Sequence, residues 1–181
     1  HILFGTFGSD MILYDQAEGY QVYRSHISES TLGDIVLSDD KKKMVMSDES
    51  GTVRVIDVGS SQVEHTFSSE NLDNVYRVAY SKGVIITAGQ DRRVGVYPIG
   101  GKAYHLRSDF LVYSVALSPD ASVGIYSSGV NHDLQLFDII SREKIDRLVG
   151  HHAVVNKITF LNEHILISSG DEKDIYIWQL D

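Results

Sequence analysis

The sequence predicts an all-β chain assembled from repeated four-stranded antiparallel sheets, and three observations predict it. A unit of about 41 residues recurs along the whole chain; apolar residues alternate at period two inside each copy; and no stretch carries the 3.6-residue periodicity of a helix. Only two prolines occur in 181 residues, so little interrupts strand formation.

The repeat is anchored on Trp178, with equivalent positions at Phe137, Tyr97, Ile56 and Tyr14, spaced by 41, 40, 41 and 42 residues. The anchor segments read MILYDQ, VRVIDV, VGVYPI, LQLFDI and IYIWQL. One residue before the anchor stand Leu13, Val55, Val96, Leu136 and Ile177, and three before it stand Met11, Val53, Val94, Leu134 and Ile175. Every one is apolar, which marks a strand with one consistently buried face.

Upstream of each anchor a second strand runs into a Gly, Ser, Asp or Asn turn (ILFGTF, MVMSDES, VIITAG, GIYSSG and ILISSG), which gives a hairpin. A third strand precedes it in four copies, as DIVLS, RVAYS, SVALS and KITFL. A fourth, more polar strand follows the anchor around YQVYRSHI, SQVEHTF, KAYHLR and EKIDRLV. The first three strands are expected to be buried and the fourth exposed.

Four short strands per repeat, an apolar anchor followed by Asp in LYD, VID and LFD, and Gly150-His151 ahead of the last copy together resemble the WD40 β-propeller family. The resemblance covers residues 1–181, with repeat units ending near 15, 57, 98, 138 and 179, and it is degenerate. Only the last anchor is Trp, and Gln179 follows it in place of Asp. The family's turn aspartate is present only as Asp91, its place being held by Gly8, Ser50, Asn131 and Glu172 elsewhere. The resemblance implies a structural hydrogen-bonding set in the last repeat: Trp178, His151 and a serine, Ser168 or Ser169, the latter assigned, with Glu172 replacing Asp. Trp178 is thus expected to be a buried anchor whose indole N–H needs a partner.

Read as blades of strands a to d from the inside out, the chain holds three complete blades flanked by two partial ones, about four and a half in all. His1 opens directly on the strand-like Ile2-Leu3-Phe4, so an N-terminal truncation of a longer, seven-bladed ring of roughly 290 residues is expected, a closed ring with fewer blades being the alternative. The missing blades would come from the rest of the chain or from another chain, because uncovered strand edges and apolar faces invite pairing.

Composition narrows the function. A formal charge of −9 argues against nucleic acid, whose phosphates need a Lys- and Arg-rich surface. The absence of cysteine excludes disulfides, thiolate metal sites and a cysteine nucleophile, and is compatible with either the cytoplasm or the bacterial periplasm. No stretch reaches the roughly 20 apolar residues of a membrane span. Of eight histidines, His151, His152 and His164 are near one another in sequence, but His151 is taken by the structural set and no metal site is expected. GDEKD at 170–174 lacks the ligand alternation of a calcium loop; GTFG at 5–8 precedes no helix; and no G-x-S-x-G elbow occurs. No cofactor and no catalysis are expected.

The expected function is a non-catalytic scaffold that binds a protein or peptide on one propeller face. In proteins of the resembled family that face carries the d-to-a connections and b-to-c turns. Carried over, the candidate contact residues are Tyr76, Tyr113 and Asn156 at the start of strand a, and Asp91, Arg92, His132 and Asp133 in the turns. Tyr and Arg suit this role because each combines large contact area with directional hydrogen bonding; the alternative for Tyr76 and Tyr113 is packing against the neighbouring blade. A second expectation comes from GQDRRVGVY and FLVYSVALSPD, which are similar to bacterial accessory propellers of the periplasmic nitrate reductase system; a third, a propeller enzyme with its active site in the channel, would require carboxylates or histidines converging from several blades, and the turn residues differ from blade to blade without such a set.

Overall fold

The computed structural model of the chain describes residues 1–129 and 131–180. Its strands form five antiparallel meanders. Sheet A holds β1 (Ile2–Gly5), β2 (Asp10–Asp15) and β3 (Tyr20–His26); sheet B holds β4 (Leu32–Leu37), β5 (Lys43–Asp48), β6 (Val53–Asp57) and β7 (Val63–Phe67). Sheet C holds β8 (Val75–Ser81), β9 (Val84–Gly89), β10 (Arg93–Pro98) and β11 (Tyr104–Arg107). Sheet D holds β12 (Val115–Leu117), β13 (Val123–Ser128), β14 (Asp133–Asp138) and β15 (Lys144–Leu148), and sheet E holds β16 (Val155–Phe160), β17 (Ile165–Gly170) and β18 (Ile175–Gln179). The expected three full sheets and two partial ones are present: A has no inner strand and E no outer one among the described residues.

Alternation places the core between sheets. Met11, Met44, Met46 and Ile56 join A to B. Val45, Val55, Val78, Ile85 and Tyr97 join B to C. Ile86, Val96, Val115, Tyr126 and Phe137 join C to D, and Ile125, Leu134, Leu136, Ile158 and Leu166 join D to E. Each such side chain leaves water at a gain of about 1.5–3 kcal/mol, which makes neighbour packing the main source of stability in a stack of small units. Tyrosines also pin the outer edges: Tyr23 donates to the Val58 carbonyl oxygen at 2.6 Å between A and B, and Tyr104 to that of Ile139 at 2.6 Å between C and D.

The outer face of sheet E is of the kind that the other sheets bury. Ile175 and Ile177 are 70% and 71% exposed, whereas their counterparts in sheet D, Leu134 and Leu136, are 0% and 5% exposed beneath sheet E. The fourth strands β7 and β15 are exposed as expected; β11 departs from this and is half-buried, because Tyr104 and Leu106 pack on the C–D core.

The anchors carry different polar locks. In sheet E the His151 ring bonds Glu172 through Nδ1 and Ser168 Oγ through Nε2 at 2.6 Å, and Trp178 Nε1 donates to the same Ser168 Oγ at 2.7 Å. The hydroxyl is that of Ser168, which corrects the assignment to Ser169. Ser168 pairs with Tyr176 and shares its face, while Ser169 pairs with Ile175 on the opposite face. Gly150 precedes His151 because a Cβ there would stand 2.9 Å from Trp178 Cη2. Ser168→Ala should cost about 1–3 kcal/mol in urea unfolding by leaving the indole N–H without its acceptor, whereas Ser169→Ala should change stability by no more than about 0.5 kcal/mol.

Two further locks have no obvious sequence signature. In sheet C, Asn71, Thr87 and Tyr97 take the places of His, Ser and Trp. Thr87 Oγ1 and Tyr97 OH both donate to Asn71 Oδ1, at 2.5 and 3.0 Å, and Asn71 Nδ2 donates to Asp91 at 3.3 Å. Burial pushes the Tyr97 phenol far above its ordinary pKa. In sheet B the fully buried Asp48 carboxylate gathers Ser28, Ser50, Thr52 and Arg54.

Candidate functional site: the inner-strand rim

The inner strands share a distortion that builds the site. Between β4 and β5 the register slips at Leu32/Asp34, between β8 and β9 at Val75/Arg77, and between β16 and β17 at Val155/Lys157. The extra residue in each bulge is Gly33, Tyr76 and Asn156. In sheet D the equivalent residue, Tyr113, lies just before β12, where Ser127 Oγ accepts the amide N–H groups of Tyr113 and Ser114 at 3.1 and 3.0 Å in place of ladder partners. A bulged residue is released from strand pairing and its side chain can be re-aimed. Four neighbouring sheets therefore present Gly33, Tyr76, Tyr113 and Asn156 in a row along one rim.

These residues line an open cavity of about 480 Å³. Sheet B adds Thr31 and Glu49 to its wall, sheet C adds Asn74 and Arg77, and sheet A contributes Phe7, which is 86% exposed. Beneath it the inner strands enclose a second space of about 310 Å³, walled by Val36, Val78, Tyr80, Leu117, Lys157 and Thr159. The two spaces follow the inner strands from rim to base.

Tyr76 and Tyr113 stack across the C–D boundary with centroids 5.5 Å apart and planes 15° apart. They pack against each other while lining the cavity, so packing and surface presentation are combined in one pair. Tyr76 OH donates to Gln90 Oε1 at 2.7 Å, and burial, with smaller contributions from Tyr113 and Asp73, raises the Tyr76 phenol above its ordinary pKa. Arg77 Nη1 donates to the Tyr76 carbonyl oxygen at 2.8 Å, Asn156 Nδ2 donates to Asp171, and the buried Asn74 Oδ1 has no hydrogen-bond partner among the described residues.

The four turn candidates do not join this cavity. Asp91 accepts the Leu72 N–H at 2.8 Å and the Arg93 N–H at 3.1 Å, and so braces its turn against the preceding connection. Arg92 and His132 hold left-handed backbone, φ 63° and 60°, as do Ser9 and Gly51 at the same place in other turns, so a conformational demand of the hairpin falls on them. His132 lines a separate crevice of about 10 Å³ beside Phe110 and Tyr113, room for one water molecule at most. Asp133 is buried and pairs with Arg147 at 3.3 Å. Sequence reasoning missed Glu49, Arg77 and Phe7; the signal available for Arg77 was its position one residue after the rim tyrosine.

Among the described residues no three His, Asp or Glu side chains converge as metal ligands, and no helix is long and apolar enough to cross a membrane.

No family model matches the chain. It is 23% identical over 179 residues to the LEC14B homolog of Prunus armeniaca, an alignment covering 96% of this chain and 33% of that protein. It is 30% identical over 84 residues to the CCR4-associated factor 4 homolog of Candida glabrata, covering 45% of this chain and 14% of that protein. The chain thus spans about a third or less of the length of the curated relatives it matches. Among solved structures it superimposes on a chain of the crystal structure of the Mitotic Checkpoint Complex with a TM-score of 0.80 at 15% identity, covering 94% of this chain and 55% of that one. With its helix-free meanders packed face to face around the inner strands, the chain has a WD40-like β-propeller fold.

Proposed function

We propose that the chain is a non-catalytic interaction scaffold that seats a protein or peptide segment in the rim cavity. The observation that carries this reading is the Tyr76–Tyr113 stack, partly exposed at the starts of two inner strands and open to a cavity of about 480 Å³. Large aromatic side chains beside polar groups are the usual anchors of interfaces, and a cavity of a few hundred cubic ångströms accommodates a side chain with part of its backbone. The exposed Phe7 extends the apolar surface across the opening. The cavity wall contains no base poised on a nucleophile, the arrangement that acyl transfer requires.

Titration of the peptides that the immobilised chain selects from a random library would test this. Tyr113→Ala is expected to weaken them by about tenfold or more, with the thermal unfolding curve still cooperative. Loss of the fold in that variant would remove the interface role from Tyr113. The uncovered face bearing Ile175 and Ile177 supports a second element of the same reading: a further sheet, from the same polypeptide or another, packs there as E packs on D. Neither the relatives nor the cavity favours an accessory role in a bacterial respiratory enzyme.

A further inference from the structure

We propose that the open edge of β1 takes one additional antiparallel strand, supplied by the polypeptide directly ahead of His1 in a longer protein, and that an alanine or valine of this strand fills a cavity between sheets A and B. Strand β1 pairs with β2 alone, so one row of its backbone groups has no ladder partner among the described residues. In sheets B, C and D the equivalent strands β5, β9 and β13 are paired on both sides. An unpaired edge is a template for a further strand.

The cavity measures about 300 Å³, and Leu3, Leu13, Leu37 and Val58 make most of its wall. Its filled counterpart lies between sheets C and D. Ile2 pairs with the anchor Tyr14 as Ile85 pairs with the anchor Tyr97, so Leu3 and Leu13 correspond to Ile86 and Val96. By the same register, Leu37 and Val58 correspond to Leu117 and Ile139 on the following sheet. Those four residues of the C–D boundary are buried, and Ala79 of the inner strand β8 packs against them. Val36 and Ala116 occupy the same place at the B–C and D–E boundaries. Sheet A has no inner strand among the described residues, and the A–B boundary therefore lacks this side chain. Leu37 is accordingly 39% exposed, against 8% for Leu117.

The filled boundaries also specify the segment. The inner strands read Ile35-Val36-Leu37-Ser38, Val78-Ala79-Tyr80-Ser81 and Val115-Ala116-Leu117-Ser118. The second residue of each packs toward the following sheet, and the first and third face the preceding one. On sheet A the second residue would stand opposite Leu3 and enter the cavity, while the first and third would lie beside Phe4 and Ile2, which are 42% and 45% exposed on the opposite face. Two residues (82–83) or four (39–42 and 119–122) separate the serine from the next strand. His1 stands where Val84 stands in sheet C and lines the cavity, so a return this short from the same polypeptide would set the register. Closing so small a loop costs less than recruiting a separate chain. This chain covers 33% of the LEC14B homolog, so a longer protein of that kind has residues to supply the strand.

The test places a copy of Arg77–Gly83 directly ahead of His1 in the otherwise complete chain, which sets the copied alanine opposite Leu3. A second form carries a copy of Ser114–Ser122 instead, so that the result does not depend on one turn sequence. Each extension is expected to raise Tm by about 4 °C or more and to slow hydrogen exchange of the β1 amides by at least about tenfold. Ala79→Asp or Ala116→Asp, made in the copy only, brings a carboxylate into the apolar cavity and is expected to abolish both changes. Unchanged Tm and exchange in both extended chains overturn the proposal, as does equal stabilisation by the aspartate forms. The residues ahead of His1 in the longer protein are expected to carry the pattern apolar, Ala or Val, apolar, Ser at one of these two turn lengths. A different pattern there, with the extensions still stabilising, overturns the same-chain source of the strand.

Discussion

Replacing Asp48 with alanine should cost the chain about 3–5 kcal/mol, the scale expected when one partner of a buried ion pair is removed. The carboxylate is fully buried, and it accepts from Ser28 Oγ at 2.7 Å, the Ser50 N–H at 3.0 Å, the Thr52 N–H at 3.2 Å and Arg54 Nη1 at 2.5 Å. Alanine would leave a half-buried guanidinium and the shorter donors of Ser28, Ser50 and Thr52 without this acceptor, each retaining its own desolvation cost. Asparagine, of nearly the same shape, should lose less, because one amide oxygen can still serve the turn. The effect carries a pH signature. Burial alone would raise the Asp48 pKa, but the bonds from Ser50, Ser28 and Arg54 outweigh it and hold the group below its ordinary value. A depressed folded pKa means that the stabilisation is complete above the ordinary aspartate range and is lost as pH falls through the folded value. The gap between wild type and Asp48→Ala, measured by urea unfolding, should therefore be widest at neutral pH and narrow below about pH 4.

Phe137→Ala should be comparably damaging, about 3–5 kcal/mol, for a different reason. Phe137 is fully buried in the C–D core, 6.0 Å from the Tyr126 ring, and its cross-strand partner is Gly124. A Cβ on Gly124 would sit 2.3 Å from Phe137 Cζ, so the ring occupies the space a side chain would otherwise fill. Once the ring is removed nothing opposite can close the void. The relation is testable as a cycle. Gly124→Ala alone should destabilise by about 1–3 kcal/mol through overpacking, yet in the Phe137→Ala background it should be neutral or stabilising. Additive costs would show that the two positions do not share the space.

The five-fold repetition, the strand order and the exposure of the fourth strands β7 and β15 were legible because each depends on period-two alternation, which a chain with its core between successive sheets must obey; the half-burial of β11 was not. The polar locks were less so. His151 with Trp178 could be found through residue type, but Asn71 with Tyr97, and Asp48 with Arg54, perform comparable bracing with other chemistry, and nothing in a linear pattern marks an asparagine as buried. The choice between Ser168 and Ser169 needed the register, since one residue reverses the face. At the rim, Tyr76, Tyr113 and Asn156 were placed by their position at the start of the inner strand. Asp91, Arg92, His132 and Asp133 were chosen by the same logic, but the hairpin uses them for its own bonds and backbone angles. Glu49 and Phe7 come from turns of other sheets, and their arrival at one cavity is a tertiary fact.

The unequal rim also bears on how a guest could be oriented. Copies of one unit arranged about a common channel would, with identical lips, offer several equivalent seats, and a ligand would be distributed over all of them in different rotational settings. Such degeneracy gives statistical occupancy but no fixed direction for whatever follows the anchoring group. Here the succession Gly33, Tyr76, Tyr113, Asn156 is different at almost every step, so a segment seated there would meet one bare glycine, one aromatic wall and one amide in a single sense of rotation. The loss of symmetry along this rim turns a repetitive surface into one with a bearing.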